Sequence, residues 1–255
     1  MTLSHFLRAA LAAVFLVATN AGAQAAPPLS AFFSNPEFSG ALLSPEARYL
    51  AVKVNGQNQR DRLAIVNLLD NSIKVVAQFS DVDVGDIEWV NNERLILNTR
   101  DRQTAPGDLR YGPGLFAVNR DGSDFRQLAA RSTEPIRSTS IYKLLPWHTY
   151  LAGQRGAQNS SAVYVLSTVY ASTGEADYVS LRQLDTLTSR STVVKPPGKV
   201  RRWLLDQNGE PRLAVTRERN IESVLYLEQD GSTWRQLARF DAYLAVEEKR
   251  FSHAV

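Results

Sequence analysis

Val118-Asn-Arg-Asp-Gly-Ser-Asp-Phe-Arg-Gln-Leu-Ala129 recurs 109 residues later as Leu227-Glu-Gln-Asp-Gly-Ser-Thr-Trp-Arg-Gln-Leu-Ala238, with seven of the twelve positions identical. Both copies read as β-hairpins, because Asp-Gly readily takes the positive φ of a tight turn and short apolar runs flank it. A more worn copy, Val66-Asn-Leu-Leu-Asp-Asn-Ser-Ile-Lys-Val-Val-Ala77, lies 52 residues before the first. That step is close to half of 109, so the unit is about 50 residues long and strand-rich, a period that points to propeller blades.

Each hairpin is preceded by a second, more apolar strand pair. In the first unit Phe38-Ser-Gly-Ala-Leu-Leu turns at Ser44-Pro-Glu-Ala-Arg into Tyr49-Leu-Ala-Val-Lys-Val, and Arg62-Leu-Ala-Ile-Val-Asn-Leu opens the outer hairpin. The second unit runs Asp86-Ile-Glu-Trp-Val, Arg94-Leu-Ile-Leu-Asn-Thr and Gly114-Leu-Phe-Ala-Val; the fourth runs Arg202-Trp-Leu-Leu-Asp, Arg212-Leu-Ala-Val-Thr and Ser223-Val-Leu-Tyr-Leu. The third is degenerate: Ile141-Tyr-Lys-Leu-Leu and Tyr150-Leu-Ala-Gly flank Pro146-Trp-His as its first two strands, then come Ala162-Val-Tyr-Val-Leu-Ser and a hairpin from Val179 to Val194. The spacing predicts an all-β chain, a partial β-propeller of about four four-stranded antiparallel blades. Its units fall at about residues 36–80, 81–131, 136–196 and 199–240, with a tail over 241–255. A sandwich would explain the short strands but gives no reason for one module to recur at a near-constant step.

Residues 1–25 stand apart from residues 26–255. Arg8 precedes an apolar run over residues 9–18, and small residues follow at Ala21, Ala23 and Ala25, which is the order of a secretory signal-peptide helix cleaved after Ala23 or Ala25. The run is too short to span a bilayer, so no stable membrane span is expected after cleavage; a retained amphipathic anchor is the alternative. A periplasmic or secreted location follows. Cysteine is absent, which excludes a disulfide framework and a cysteine-ligated metal, so the exported chain must rest on its core. The 29 basic and 26 acidic residues form no block, and their net charge of +3 gives nucleic-acid binding no support.

Three histidines limit the catalytic search. His5 leaves with the signal peptide, His253 lies at the terminus, and His148 sits in a Trp-His-Thr turn. No Gly-x-Ser-x-Gly elbow raises a serine, so no catalytic residue is assigned. Asp81, Asp83 and Asp86 with Glu88 lack the spacing of a calcium loop and read as a solvated inter-blade loop; no metal site and no cofactor is assigned. Gly112-Pro-Gly114 reads as the bend before a strand rather than a phosphate cradle. Trp89 and Trp203 occupy equivalent inner-strand positions and read as packing residues, with a ligand-stacking cage as the alternative. Arg201-Arg202 beside Trp203 reads as a solvated strand edge, with an anionic substrate as the alternative.

The Leu43-Ser-Pro-Glu-Ala-Arg-Tyr-Leu-Ala51 opening, Ile87-Glu-Trp-Val-Asn-Asn-Glu-Arg-Leu-Ile-Leu97 and Trp203-Leu-Leu-Asp-Gln-Asn-Gly-Glu-Pro-Arg-Leu-Ala-Val215, together with the signal peptide, resemble the N-terminal propeller region of the prolyl oligopeptidase and acylaminoacyl peptidase family of serine peptidases, in its exported bacterial branch. Periplasmic propellers of the TolB type share the Ser-Pro-x-x-x-Tyr-Leu-Ala opening. The peptidase resemblance implies a cap that restricts peptide entry to an α/β-hydrolase domain. No position here matches that domain's nucleophile elbow or histidine, so the chain is expected to be truncated before it and inactive alone. The resemblance also implies more blades than four. Peptide substrate or a hydrolase domain is the implied partner, and self-association through open propeller edges is expected of four blades standing alone. The alternatives are a free-standing TolB-like interaction propeller and, with less support from the histidine and carboxylate inventory, a metal-dependent propeller hydrolase or lactonase.

Overall fold

In the computed structural model the three Asp-Gly-type repeats are hairpins. The turn residues Asn71, Gly122 and Gly231 take φ values of 58°, 83° and 69°. Two close alike at the turn glycine, Gly122 N–H to Asn119 O and Gly231 N–H to Glu228 O, while Asn71 N–H reaches Asn67 O; the return bonds run from Asn119 N–H to Ser123 O, from Glu228 N–H to Thr233 O and from Asn67 N–H to Ser72 O. The structure describes residues 38–56, 59–105, 111–132, 144–153 and 155–243. All lie in the compact unit of residues 37–255; the other unit, residues 1–36, and with it the expected signal peptide, is outside the described residues, as is His253.

Sixteen described strands form four four-stranded antiparallel sheets, each a meander in chain order. The first holds β1 (Phe38–Leu43), β2 (Tyr49–Val54), β3 (Arg62–Asn67) and β4 (Ile73–Ala77). The second holds β5 (Asp83–Trp89), β6 (Arg94–Arg100), β7 (Leu115–Asn119) and β8 (Arg126–Ala129). The third holds β9 (Thr149–Leu151), β10 (Ala162–Tyr170), β11 (Ala176–Asp185) and β12 (Ser191–Val193). The fourth holds β13 (Val200–Leu205), β14 (Pro211–Glu218), β15 (Ile221–Leu227) and β16 (Trp234–Asp241). This is the partial β-propeller of four blades that the repeat predicts.

The third sheet corrects the sequence reading. Of Ile141-Tyr-Lys-Leu-Leu, residues 141–143 lie outside the described residues, and Leu145 forms a parallel bridge to Ala129 at the end of β8. The inner strand is β9, which the sequence reading placed second. Pro146 accounts for the change: a proline cannot donate to the ladder, so the chain turns there and the new sheet begins after it. The long β10–β11 ribbon turns at Gly174, with φ 84°. Taking the strand to end at Ser167 missed that hairpin.

Packing is pairwise between successive sheets. One apolar cluster joins Ala51, Leu63 and Ile65 of the first sheet to Trp89, Leu95, Leu97 and Phe116 of the second. Another joins Ile96, Leu115 and Ala117 of the second to Val165 and Leu184 of the third, and a third joins Leu181 to Val200, Trp203 and Ala214 of the fourth. The run Leu95-Ile-Leu97 is fully buried because alternate residues serve two clusters. Truncating any one of them to alanine would cost about 2–5 kcal/mol. Nearest-neighbour cores of this kind are how radial repeats gain stability.

Polar groups lock the same joints. Arg94, at 2% exposure, leaves β6 of the second sheet and donates from Nε to Thr186 Oγ1 at 3.0 Å and from a terminal nitrogen to Thr186 O at 2.8 Å, in the β11–β12 turn of the third sheet. Trp89 Nε1 donates to Leu42 O on β1 at 3.0 Å, and Trp203 Nε1 donates to Val179 O on β11 at 2.8 Å. Both indoles are core residues, at 4% and 5% exposure, as expected of inner-strand packing positions.

Candidate binding mouth at the lower rim

In each meander the first-to-second strand turn emerges at one end of the sheet, here called the lower rim, and the second-to-third connection emerges at the upper rim. Lower-rim turns of neighbouring sheets are hydrogen-bonded in series. Glu46 N–H donates to Asn92 Oδ1 at 2.9 Å, Asn91 Nδ2 donates to Ser160 O at 2.9 Å, and Ala157 N–H donates to Asn208 O at 3.1 Å. The long β9–β10 connection makes this possible. Residues 155–160 reach the second sheet through Gln158 Nε2, which donates to Trp89 O at 2.6 Å, and reach the fourth through Gly156, which touches Gly209. A Cβ at Gly209 would collide with the Gly156 backbone, and its φ of 76° is a second reason for glycine there.

These turns enclose an open cavity of about 320 Å³ lined by Glu88, Arg155, Gln158, Tyr164, Gln183 and Glu210, among others. Tyr164 Oη donates to Glu210 Oε2 at 3.1 Å, and burial, reinforced by the Glu210 charge, pushes the phenol pKa upward. No described residue donates a hydrogen bond to the Glu88 carboxyl. Burial raises its pKa, the Arg155 charge offsets part of that rise, and the Asp86 charge adds to it. The mouth therefore offers two carboxylates, a phenol, a guanidinium and several side-chain amides beside the buried Trp89.

The upper rim has a larger cavity, about 620 Å³, lined by Arg100, Arg102, Tyr111 and Arg131 among others, but most of its charge is already paired. Arg60 bonds Asp83 at 3.0 Å and Asp101 at 2.9 Å, Arg102 pairs with Asp61 at 3.0 Å, and Arg131 pairs with Asp81 at 2.8 Å. Hydrogen bonds from Thr104, Gln103 and Arg60 hold the Asp101 carboxyl down to about 2. This rim is a clasp between the first and second sheets.

The carboxylate group of the sequence reading is thus dispersed. Asp83 is not solvated: it is 5% exposed, begins β5, and accepts the Asp61 N–H at 2.9 Å as well as the Arg60 pair. A strand-opening aspartate at a blade joint is buried by the arginine of the previous sheet, which sequence spacing does not reveal. Asp86 bonds Asn98, and Glu88 alone enters the lower cavity. Among the described residues no group of three or more histidines or carboxylates is placed to hold a metal ion. Gly114 is the bend before β7, with φ 60°. Arg201 and Arg202 are exposed on β13, and Arg201 donates to Ala176 O at 2.9 Å.

His148 lies in the turn before β9, at the opposite end of that strand from the lower mouth. Its Nδ1 is buried without a hydrogen-bond partner, and burial lowers its pKa. The nearby hydroxyls of Thr149 and Ser167 bond each other at 2.9 Å. Sequence reasoning missed Arg155, Gln158, Tyr164 and Glu210. The one available signal was the Gln207-Asn-Gly-Glu210 turn, whose glycine is demanded by a neighbouring loop 53 residues away.

No family model and no curated protein matches this sequence. Among solved structures the chain is similar to a prolyl endopeptidase, with a TM-score of 0.51 and 12% identity over 81% of this chain and 30% of that one. It is also similar to puromycin hydrolase, with a TM-score of 0.45 and 14% identity over 80% of this chain and 29% of that one. TolB from Acinetobacter baumannii gives a TM-score of 0.40 and 14% identity over 79% of this chain and 43% of that one. The prolyl endopeptidase likeness establishes the propeller fold. The chain spans less than a third of the length of the two peptidase-type structures.

Proposed function

We propose that this chain is the non-catalytic propeller portion of an exported serine peptidase of the prolyl oligopeptidase type, binding or gating peptide for a hydrolase domain outside it. The observation that supports this reading is the lower mouth. A peptide presents amides and, at its amino terminus or on basic side chains, a positive charge. The mouth presents the complementary set: side-chain amides of Gln158 and Gln183, the Tyr164–Glu210 pair, and a Glu88 carboxylate held in a setting that penalises its charge. A cationic group entering there would offset that penalty, since a buried carboxylate gains most from a charged hydrogen-bond partner.

The test is calorimetric titration of the purified protein with short peptides that carry a free or an acetylated amino terminus. Binding that favours the free terminus, and that weakens about tenfold in Glu88→Gln, is the expected result; tenfold corresponds to about 1.4 kcal/mol. Absence of binding at millimolar peptide, or identical binding by Glu88→Gln and Glu210→Gln, would defeat the peptide reading and favour a free-standing interaction propeller.

A further inference from the structure

Arg155 is the one basic residue among the described residues that line the lower mouth. No described residue accepts a hydrogen bond from its guanidinium or forms an ion pair with it. Its charge nonetheless reaches Glu88, whose carboxyl is equally without a donor among the described residues. The other carboxylate of the cavity, Glu210, is engaged by Tyr164 Oη at 3.1 Å. One cation and one anion therefore face the same cavity without touching each other. The backbone holds both in place. Glu88 is part of β5, and Arg155 precedes Gly156, which packs against Gly209, and Ala157, whose N–H bonds Asn208 O at 3.1 Å.

We propose that the mouth receives short peptides with both ends free, Glu88 taking the terminal ammonium and Arg155 the terminal carboxylate; this rests on the peptide reading of the same site and narrows its ligand class. Charge is the first reason. A ligand that brings only a cation to Glu88 also brings it towards Arg155, and like charges in a partly desolvated site repel. A carboxylate on the same molecule turns that repulsion into attraction, and a guanidinium grips a carboxylate through two parallel N–H donors.

Polarity and size agree. The wall also carries Asn159, Gln183 and Asn208, whose neutral amides donate and accept in the way a peptide bond requires. A cavity of about 320 Å³ lies at the low end of the range of about 300–1,000 Å³ for small-molecule pockets, which suits a ligand of a few residues rather than a long chain. The Arg155 side chain is exposed, so a carboxylate can reach it without displacing any described partner.

Calorimetric titration with trialanine, its carboxamide, its N-acetyl form and hexaalanine tests the two-ended site. Trialanine should bind about tenfold more tightly than its carboxamide, the scale of one charge-assisted hydrogen-bonded pair. Hexaalanine, whose ends lie about 20 Å apart when extended, should bind no more tightly than trialanine amide. Arg155→Gln should bind acid and amide alike, and should bind the amide more tightly than the parent does, because the repelling charge is gone. Its thermal unfolding should match the parent's, so the change reads binding and not folding. Glu88→Gln should lose the preference for a free amino terminus and keep the preference for a free carboxylate. Equal affinity for acid and amide with the amino-terminal preference intact, an Arg155→Gln protein that keeps the parent's discrimination, or hexaalanine bound as tightly as trialanine would each overturn the two-ended site and leave the peptide reading standing. Absence of binding by every peptide at millimolar concentration would defeat both.

Discussion

Replacing Arg94 by alanine should be among the most damaging single changes in this chain. Its guanidinium makes charged hydrogen bonds to Thr186 Oγ1, Thr186 O and Asn119 Oδ1 at 3.0, 2.8 and 2.7 Å, and an ion pair with Asp124 at 3.1 Å. Thr186 is fully buried, so truncation strands its carbonyl in the sheet joint; Asp124, with its side chain 34% exposed, rehydrates at little cost. Breaking a buried charged network by removing one partner costs about 3–5 kcal/mol. For a domain of this size that is about 6–20 °C in melting temperature, at about 2–4 °C per kcal/mol. Arg94→Lys keeps the charge but loses the fork that reaches both Thr186 oxygens, and should recover less than half of the loss. Lys199→Ala is the control: its pair with Asp177 at 2.7 Å is solvent-exposed and worth about 0–1 kcal/mol. Thermal unfolding followed by circular dichroism is the assay. An Arg94→Ala protein that melts within the error of Lys199→Ala would show that the Arg94 network does not hold the second and third sheets together.

Trp89→Ala and Trp203→Ala should each cost about 3–5 kcal/mol, read by chemical denaturation; a mutant as stable as the parent would place its indole outside the core. Glu88 has a folded pKa above its unfolded value, so the folded state favours the protonated form and stability falls as pH rises from about 4 through the raised pKa. Glu88→Gln should match the parent at low pH and exceed it near neutrality; a mutant less stable than the parent at pH 7 would refute this. Asp101 has the opposite sign: its contribution is complete above about pH 4 and is lost as pH falls towards about 2, so Asp101→Asn should flatten acid unfolding in that window. A serine-directed fluorophosphonate should not label the purified chain, and stoichiometric labelling abolished by one serine substitution would contradict the non-catalytic reading. Intact mass of the exported protein should place its amino terminus after Ala23 or Ala25; a product that begins at Met1 would refute cleavage.

The hairpins were legible because each is specified within twelve residues: an Asp-Gly or Asp-Asn turn, and apolar runs on either side. The tryptophans were legible because a large aromatic at the end of an apolar inner strand has few places to go but the joint. Arg94 was not. Arg94-Leu-Ile-Leu and Arg212-Leu-Ala-Val open the second strands of their sheets in the same way, yet Arg212 bonds Asp206 in its own turn at 2.8 Å and stays 30% exposed. What separates them is register. Arg94 alternates with Leu95 and shares the face of Ile96, toward the third sheet, whose β11–β12 turn supplies Thr186, 92 residues away; Arg212 lies two residues before Ala214, on the other side of its strand and beside the bulge at Leu204–Leu205. The recurring arginine was the visible signal, and its burial is a property of the joint.

The third sheet is where repeat reasoning failed and where the mouth arises, and the two facts have one cause. A regular blade would spend residues 152–161 on a short turn and a full inner strand. Here β9 has three residues, and the chain between it and β10 is released from the ladder. Backbone groups freed from a sheet must bond elsewhere or face water, and residues 155–160 do so through Ser160 O, which accepts from Asn91 Nδ2 on one side, and Ala157 N–H, which donates to Asn208 O on the other. In a blade with a complete inner strand and a short turn, Glu88 and Glu210 would stand at the lower rim of separate sheets with no loop between them to enclose a cavity. The loop released by the short β9 therefore encloses the cavity that holds the carboxyl of the second sheet and that of the fourth. Restoring a four-residue Gly-containing turn in place of residues 152–161 should preserve the fold while abolishing the cavity, and peptide binding that survived that deletion would locate the binding surface elsewhere on the propeller.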